Sequence, residues 1–231
     1  MQAWGVYFNS PVSFADGLHI QEQLVRARQA EAIPDVVLFL EHKPVVTLGT
    51  RGRTNALIVA PDKLAALGID FTRASRGGDV TYHAPGQLVI YPILKLGENE
   101  ADAHGYAQNL EEIAIRTAAD YGVKAFRRKG KNGAWTDSGK IAAIGFRLRK
   151  WVTMHGMSFN IDLDLAGFAT IIPCGLAGEK VSSLKAILGT ACPAVQDVRS
   201  RMARHFQTVF NRKMDIFTEP GKLPLPLRTC F

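Results

Sequence analysis

Cysteine is scarce in this sequence, with three residues at positions 174, 192 and 230 of a 231-residue chain. An odd number at such wide spacing argues against a disulfide framework and fits a reducing compartment. No CxxC pair and no paired His/Cys spacing occurs, so a structural zinc site is not expected and no metal is assigned. No apolar run approaches the roughly 20 residues of a membrane span. The opening MQAWGVYFNS lacks the basic segment and apolar core of a secretory leader, and it is not an Arg- and Ser-rich import sequence. A cytoplasmic location without a membrane partner is expected. Internal repeats, low-complexity tracts and compositional breaks are also missing, so a single domain over residues 1–231 is expected. Nothing demands an obligate dimer, and a monomer is expected.

What is present is a globular composition, with 47% hydrophobic and 21% charged residues and a mean hydropathy of zero. The net charge of +7 favours acidic partners through long-range steering. Basic residues gather at RRKGK (Arg127–Lys131) and RLRK (Arg147–Lys150). Neither run interleaves aromatics in an RNA-binding pattern, so nucleic acid is not expected.

Helical periodicity runs from His19 to Ala32 and is ended by Pro34. DVVLFLEH and VVTLG read as strands joined by the tight link HKP. Asp62 to Gly68 reads as a short helix and IDFTRAS as a strand. QLVIYPIL is a strongly apolar strand. Ala107 to Tyr121 is an amphipathic helix stopped by Gly122. AWT, KIAAIGFRL, TMHGMSFNI and ATII carry β signals. Ser183 to Leu188 and Val195 to Phe210 read as helices, and the proline-rich tail TEPGKLPLPLRTCF as irregular. Strands in runs with helices between the groups predict an α+β class with a mixed β-sheet flanked by helices.

Three segments concentrate glycine with chemically capable side chains. In RGGDVTYHAPGQ (Arg76–Gln87) two adjacent glycines let backbone N–H groups approach a ligand, although a plain inter-strand turn has the same composition. In SGKIAAIGFRL (Ser138–Leu148) strict alternation sets Lys140, Ala142 and Ile144 on one face and Ile141, Ala143 and Gly145 on the other. Lys140 then projects into a pocket or snorkels to solvent. In IIPCGLAGEKVSSL, Pro173 and Gly175 impose an unusual backbone on Cys174, which reads either as a buried thiol or as a nucleophile whose thiolate a nearby cation, Lys140 or His83, would favour. Cys192 and Cys230 fit the buried or inert reading better.

Taken in order and spacing, RGGDVTYHAPGQLVIYPI, GKIAAIGFR…TMHGMSFNI and IIPCGL…VSSL resemble the lipoyl(octanoyl) transferases of the biotin/lipoate ligase-like superfamily, over about Val36 to Leu188. The resemblance implies that superfamily's catalytic-domain fold and transfer of an octanoyl group from the pantetheine thioester of acyl carrier protein to a lysine of a lipoyl domain. The implied acceptors are the lipoyl domains of 2-oxoacid dehydrogenase acyltransferase subunits and the glycine cleavage H protein. It implies Cys174 as nucleophile and Lys140 as its partner. For the substrate it implies Arg76, Gly77, Gly78, Asp79, Val80, Thr81, Tyr82 and His83, with Ala143, Ile144 and Gly145, and Gly156, Met157 and Ser158. No cofactor is implied. Two positions depart from the family pattern: Ala84 replaces a glycine after His83, and Ser158 replaces an alanine. A left-handed backbone at Ala84 would be strained.

The implied chemistry is coherent. A thioester is already activated, so transfer to an amine requires no ATP. A Lys140 ammonium favours the Cys174 thiolate, which attacks the octanoyl carbonyl and expels the pantetheine thiol. Acylation removes the negative charge that held the ammonium, and the lysine then accepts the proton of the incoming amine. Backbone N–H groups near Cys174 can hold the oxyanion, and His83 can orient the thioester. Carrier proteins and lipoyl domains are acidic as families, which fits the basic chain. Three rival readings remain at this stage: an ATP-dependent lipoate–protein ligase, an amidotransferase moving octanoate between lipoyl domains, and a non-catalytic basic binding module.

Overall fold

The computed structural model describes residues 1–52, 56–172, 179–218 and 223–228, and the side chains of 225 and 226 are not described. Its strands are β1 (Gln2–Tyr7), β2 (Asp35–Leu40), β3 (Val45–Leu48), β4 (Asp70–Arg73), β5 (Val80–His83), β6 (Gln87–Ile93), β7 (Phe126–Arg128), β8 (Lys131–Thr136), β9 (Gly139–Arg149), β10 (Val152–Asn160) and β11 (Lys213–Phe217). Its helices are α1 (Phe14–Gln29), α2 (Pro61–Ala66), α3 (Ala103–Ala119), α4 (Leu184–Leu188), α5 (Val195–Phe210) and α6 (Leu225–Arg228). Eight strands form one mixed sheet in the order β11-β1-β2-β6-β10-β9-β8-β7, and β4-β3-β5 form a smaller one. β1 runs parallel to both its neighbours, whereas β2, β6, β10, β9, β8 and β7 pair antiparallel.

The continuous apolar runs DVVLFL and QLVIYPI are buried along their whole length because they sit mid-sheet with both faces covered. Val37, Phe39, Leu88 and Ile90 pack under α3 and α5, against Leu110, Ile113, Met202 and Phe206. Val36, Leu38, Val89 and Tyr91 face the other way, toward Ile20, Leu24 and Val25 of α1. At about 1.5–3 kcal/mol per fully buried large apolar side chain, these two layers are the main source of stability.

Several elements differ from the sequence reading. α1 begins five residues before His19, because Ser13 accepts a hydrogen bond from the Asp16 backbone N–H at 3.1 Å and caps the helix there. β2 and β3 are not sheet partners, since HKP carries the chain from the large sheet to the small one. The ATII segment is largely a 3-10 turn, Leu165–Thr170, capped by Asp164, and only Ile171 bridges in β fashion, to Leu57. The edge strands β7 and β11, and β1 beside β11, carry no clear alternation in sequence. The tail is not wholly irregular: Leu223 and Leu227 are buried against the α1 layer, the latter from within α6.

A buried ionic knot joins distant parts of the chain. Arg212 donates to Asp35 at 3.0 Å and to Glu100 at 2.8 Å, while Arg28 donates to the other Asp35 oxygen at 2.8 Å. The Arg212 and Asp35 side chains are only 1% and 2% exposed. Removing one partner leaves a buried charge without its complement. Arg212→Ala is therefore expected to destabilise the fold by about 3–5 kcal/mol, read from the urea unfolding midpoint.

Candidate active site

The first two singled-out segments meet, with β10, at a cleft of about 490 Å³ between the small sheet and the face of β6, β9 and β10. Arg76, Gly78, Asp79, Val80, Thr81 and His83 line one wall, and Lys140, Ala143, Ile144, Gly145, Gly156, Met157 and Ser158 the other. Two candidates fall outside it. Gly77 is tied to β9 through its N–H to the Phe146 carbonyl at 2.9 Å. Tyr82 turns away and packs edge-on against Phe168, with ring centroids 5.5 Å apart. Cys174 lies outside the described residues, as does Cys230.

The Arg76–Asp79 loop is held as a rigid wall. The Arg76 guanidinium is turned inward, donating to the Thr47 carbonyl at 2.7 Å and the Thr47 hydroxyl at 2.8 Å. On the far side the loop lies so close to β9 that a Cβ on Gly145 would stand 2.8 Å from the Gly77 carbonyl oxygen. Only glycine allows that approach. Ala84 is not strained, because the left-handed residue of the following turn is Gly86 and not Ala84.

Lys140 reaches the cleft through an irregularity in the sheet. The β8–β9 register steps from Ala134↔Ala142 to Trp135↔Lys140, so Ile141 is an extra residue on β9. Ile141 and Ala142 are consecutively buried in the α3 layer, and Lys140 shares the cleft with Ala143 and Gly145. Strict alternation had set Lys140 on the opposite face from those two. The Lys140 ammonium stands 5.1 Å from the centroid of the buried Trp135 ring. Its aliphatic stem passes Gly133, where a Cβ would come within 2.6 Å of Lys140 Cε. The Lys140 N–H donates to the Lys180 carbonyl at 2.8 Å, and its carbonyl accepts from the Ser182 N–H at 2.9 Å.

Two imidazoles, His83 and His155, line the cleft, and a third, His42, packs behind them with its ring 5.6 Å from that of His83; the sequence reading singled out His83 alone. His83 Nδ1 pairs with Gln87 Oε1 at 2.6 Å. The Gln87 amide N–H groups are directed at Asn160 Oδ1 and the Tyr82 carbonyl, so Oε1 accepts and His83 Nδ1 donates. His83 Nε2 is then an acceptor. Asn160 in turn donates to the Ser182 carbonyl at 2.9 Å, which links His83 to the strand of Lys140. His42 donates from Nδ1 to the Val12 carbonyl and accepts from the Tyr91 hydroxyl at 2.7 Å. His155 lies opposite Pro92, which has no N–H for the ladder. It adopts φ +58°, and its own N–H goes to Gln21 of α1 at 2.8 Å. The ring pairs with the Ser75 hydroxyl at 3.0 Å.

Burial pushes His83 down to about 3, helped by neighbouring His42 and Arg76. Burial likewise pushes His155 to about 3 and His42 to about 4. All three rings are neutral near pH 7, so His83 is not the cation that the sequence left open as a thiolate partner. Lys140, the other candidate, lines the same cleft. Among the described residues, no three His, Cys, Asp or Glu side chains gather as a metal-binding group.

Both flanks of residues 173–178 are anchored beside this cleft. On one side Ile171 bridges Leu57, and the Ile172 N–H donates to the Ala56 carbonyl at 2.8 Å. On the other, Glu179 accepts from Arg128 at 2.9 Å and from Lys131, and Lys180 pairs with Lys140 as above.

The Lipoyl protein ligase A/B catalytic domain family matches residues 13–207. The octanoyltransferase of Syntrophotalea carbinolica is 46% identical over 196 residues, 85% of this chain and 89% of the relative. That of Geobacter metallireducens is 44% identical over 203 residues, 88% and 92% of the two chains. Among solved structures, a bi-partite lipoate protein ligase from Thermoplasma acidophilum superposes with a TM-score of 0.79 at 16% identity, over 100% of this chain and 90% of that one. Lipoate-protein ligase A bound with ATP gives 0.78 at 15% identity, over 100% and 92%. At such identities these two likenesses bear on the fold, which is the mixed sheet flanked by helices described above. The relatives fix the rest: the chain belongs to the octanoyltransferases of the Lipoyl protein ligase A/B catalytic domain family.

Proposed function

We propose that this chain, acting as one catalytic domain, transfers an octanoyl group from octanoyl acyl carrier protein to a lysine of lipoyl domains through a thioester on Cys174. This is the octanoyl-transfer step of lipoate biosynthesis. The observation that carries the reading is the position of Lys140, the amine that lines a cleft to which Val80, Val89, Ala143, Ile144 and Met157 contribute an apolar wall. Such a wall suits an eight-carbon chain, at about 0.8 kcal/mol per buried CH₂. The anchored flanks of residues 173–178, one of them bonded to the Lys140 backbone, support a Cys174–Lys140 pairing.

In this mechanism the Lys140 ammonium stabilises the thiolate, the thiolate displaces the pantetheine sulfur, which leaves as a thiol by taking the Lys140 proton, and the octanoyl group stays on the Cys174 sulfur while Lys140 becomes a neutral amine. Lys140 then takes the proton of the attacking lysine amine, and the amide forms as the Cys174 thiolate leaves. His83, neutral and fixed by Gln87, orients the acyl group and is not the base. The net positive charge of the chain speeds encounter with acidic carrier and lipoyl domains, and a cytoplasmic location fits these partners. No helix among the described residues is long and apolar enough to cross a membrane.

The test is intact-mass measurement after mixing with octanoyl acyl carrier protein. A gain of about 126 Da on Cys174 is expected without ATP, as acyl-enzyme chemistry requires. Addition of a lipoyl domain discharges it. A requirement for ATP with free octanoate as donor would instead make the chain a ligase.

A further inference from the structure

Lys140 borders more than the acyl cleft. A second, more polar depression of about 890 Å³ opens on its other side, and the two hollows share Gly78, Asp79, Lys140 and Ile144. A substrate whose carbonyl carbon sits beside Lys140 and whose hydrocarbon fills the cleft must therefore direct its remaining end into this depression.

The charges there are arranged on two walls. Arg51 stands on one, rooted by its N–H to the Gly78 carbonyl at 3.1 Å, with Thr50 and Gly49 bonded to the same glycine loop. Lys131 and Asn132 of β8 stand on the other. Asp79, the one acid of the lining among the described residues, turns an oxygen back to accept from the Val80 N–H at 2.8 Å. Lys131 also pairs with Glu179, but that carboxylate is shared with Arg128, so the cations of this wall outnumber the anion. Cations on two walls, with an amide side chain beside one of them, match a phosphate ester followed by neutral amide groups.

We infer that this depression binds the phosphate-bearing arm of the thioester donor, with Arg51 and Lys131 holding the phosphate and Asn132 facing the amide portion. The inference rests on the octanoyl-transfer reading and adds to it the route by which the donor enters. A nucleotide phosphate shares the same chemistry, and the experiment separates the two.

In a Cys174→Ala background, which keeps the thioester intact, the dissociation constants of S-octanoyl-4′-phosphopantetheine, S-octanoyl-pantetheine and ATP are measured at fixed ionic strength. The phosphorylated thioester is expected to bind about tenfold more tightly than its dephosphorylated form, the scale of one hydrogen-bonded ion pair. Arg51→Gln and Lys131→Gln are each expected to erase most of that ratio and leave S-octanoyl-pantetheine binding unchanged. Added salt narrows the ratio in the unsubstituted site. Equal binding of the two thioesters overturns the inference, as does equal weakening of both in the variants. ATP binding more tightly than the phosphorylated thioester, with the same residues required, assigns the depression to a nucleotide and also overturns it. If Arg51→Gln slows transfer from the carrier protein while the ratio persists, the arginine reads the carrier's surface, and the assignment falls. Phosphate-dependent binding with no octanoyl transfer by the Cys174 protein would sustain the site and overturn the reaction.

Discussion

Cys174→Ala lowers octanoyl transfer by about 10⁴-fold or more in kcat/KM, the scale on which loss of a covalent nucleophile is felt, and no acyl adduct accumulates. The expectation rests on chemistry. Aminolysis of a thioester by a lysine that is protonated in water is slow, and splitting it into two steps at one sulfur is what the covalent route supplies. The other thiol that the structure describes is a poor substitute. Cys192 is half-buried, its S–H points at the Ile161 carbonyl at 3.6 Å, and burial pushes its thiol up, with Asp162 adding to the rise. A thiol so disposed is scarcely ionised near pH 7. Cys192→Ala should therefore transfer octanoate at the rate of the unchanged protein. Single-turnover assays with octanoyl carrier protein and a lipoyl domain check both variants. Normal transfer by Cys174→Ala would leave direct aminolysis within the cleft as the route.

How much of this site could be read from sequence differs by residue, for physical reasons. The central strands β2 and β6 and the helix α5 were legible because burial on both faces, or on one helical stripe, writes itself into residue type. The glycine loop was legible as a dense motif, and the resemblance of the GKIA segment to known transferases named Lys140. The side of the sheet on which Lys140 stands was not legible. One extra residue, Ile141, reverses the parity of the strand, and no pattern of apolar residues announces a bulge. The histidine floor was hidden in another way. His42, in the link after β2, and Tyr91, within β6, bond to each other from positions far apart in sequence, and each alone is unremarkable. His155 had a local signal that went unused: Pro92 in the middle of a buried strand must break the ladder somewhere, and the neighbouring backbone opposite is where the distortion falls. Ala84 showed the reverse error. A missing glycine suggested strain, but the turn places its left-handed residue two positions later.

Lys140→Ala is expected to impair both half-reactions, by about 10²–10⁴-fold each, the range of a lost general acid–base group. The bulge at Ile141, the gap over Gly133 and the ring of Trp135 together set the amine at the junction of the two hollows. The histidines do not rescue it, since burial holds them neutral. Charge and proton transfer are separable by Lys140→Arg, because a guanidinium keeps the positive charge and cannot be deprotonated in this pH range. The arginine variant should form the octanoyl-enzyme at a measurable rate and then fail to pass the group to the lipoyl lysine. Starting from pre-acylated protein isolates the second step, and its rate in Lys140→Ala should rise with pH more steeply than in the unchanged protein, as the acceptor amine loses its proton to solvent. If Lys140→Arg instead discharges the acyl-enzyme normally, the amine contributes charge alone, and the proton of the incoming lysine leaves by another path.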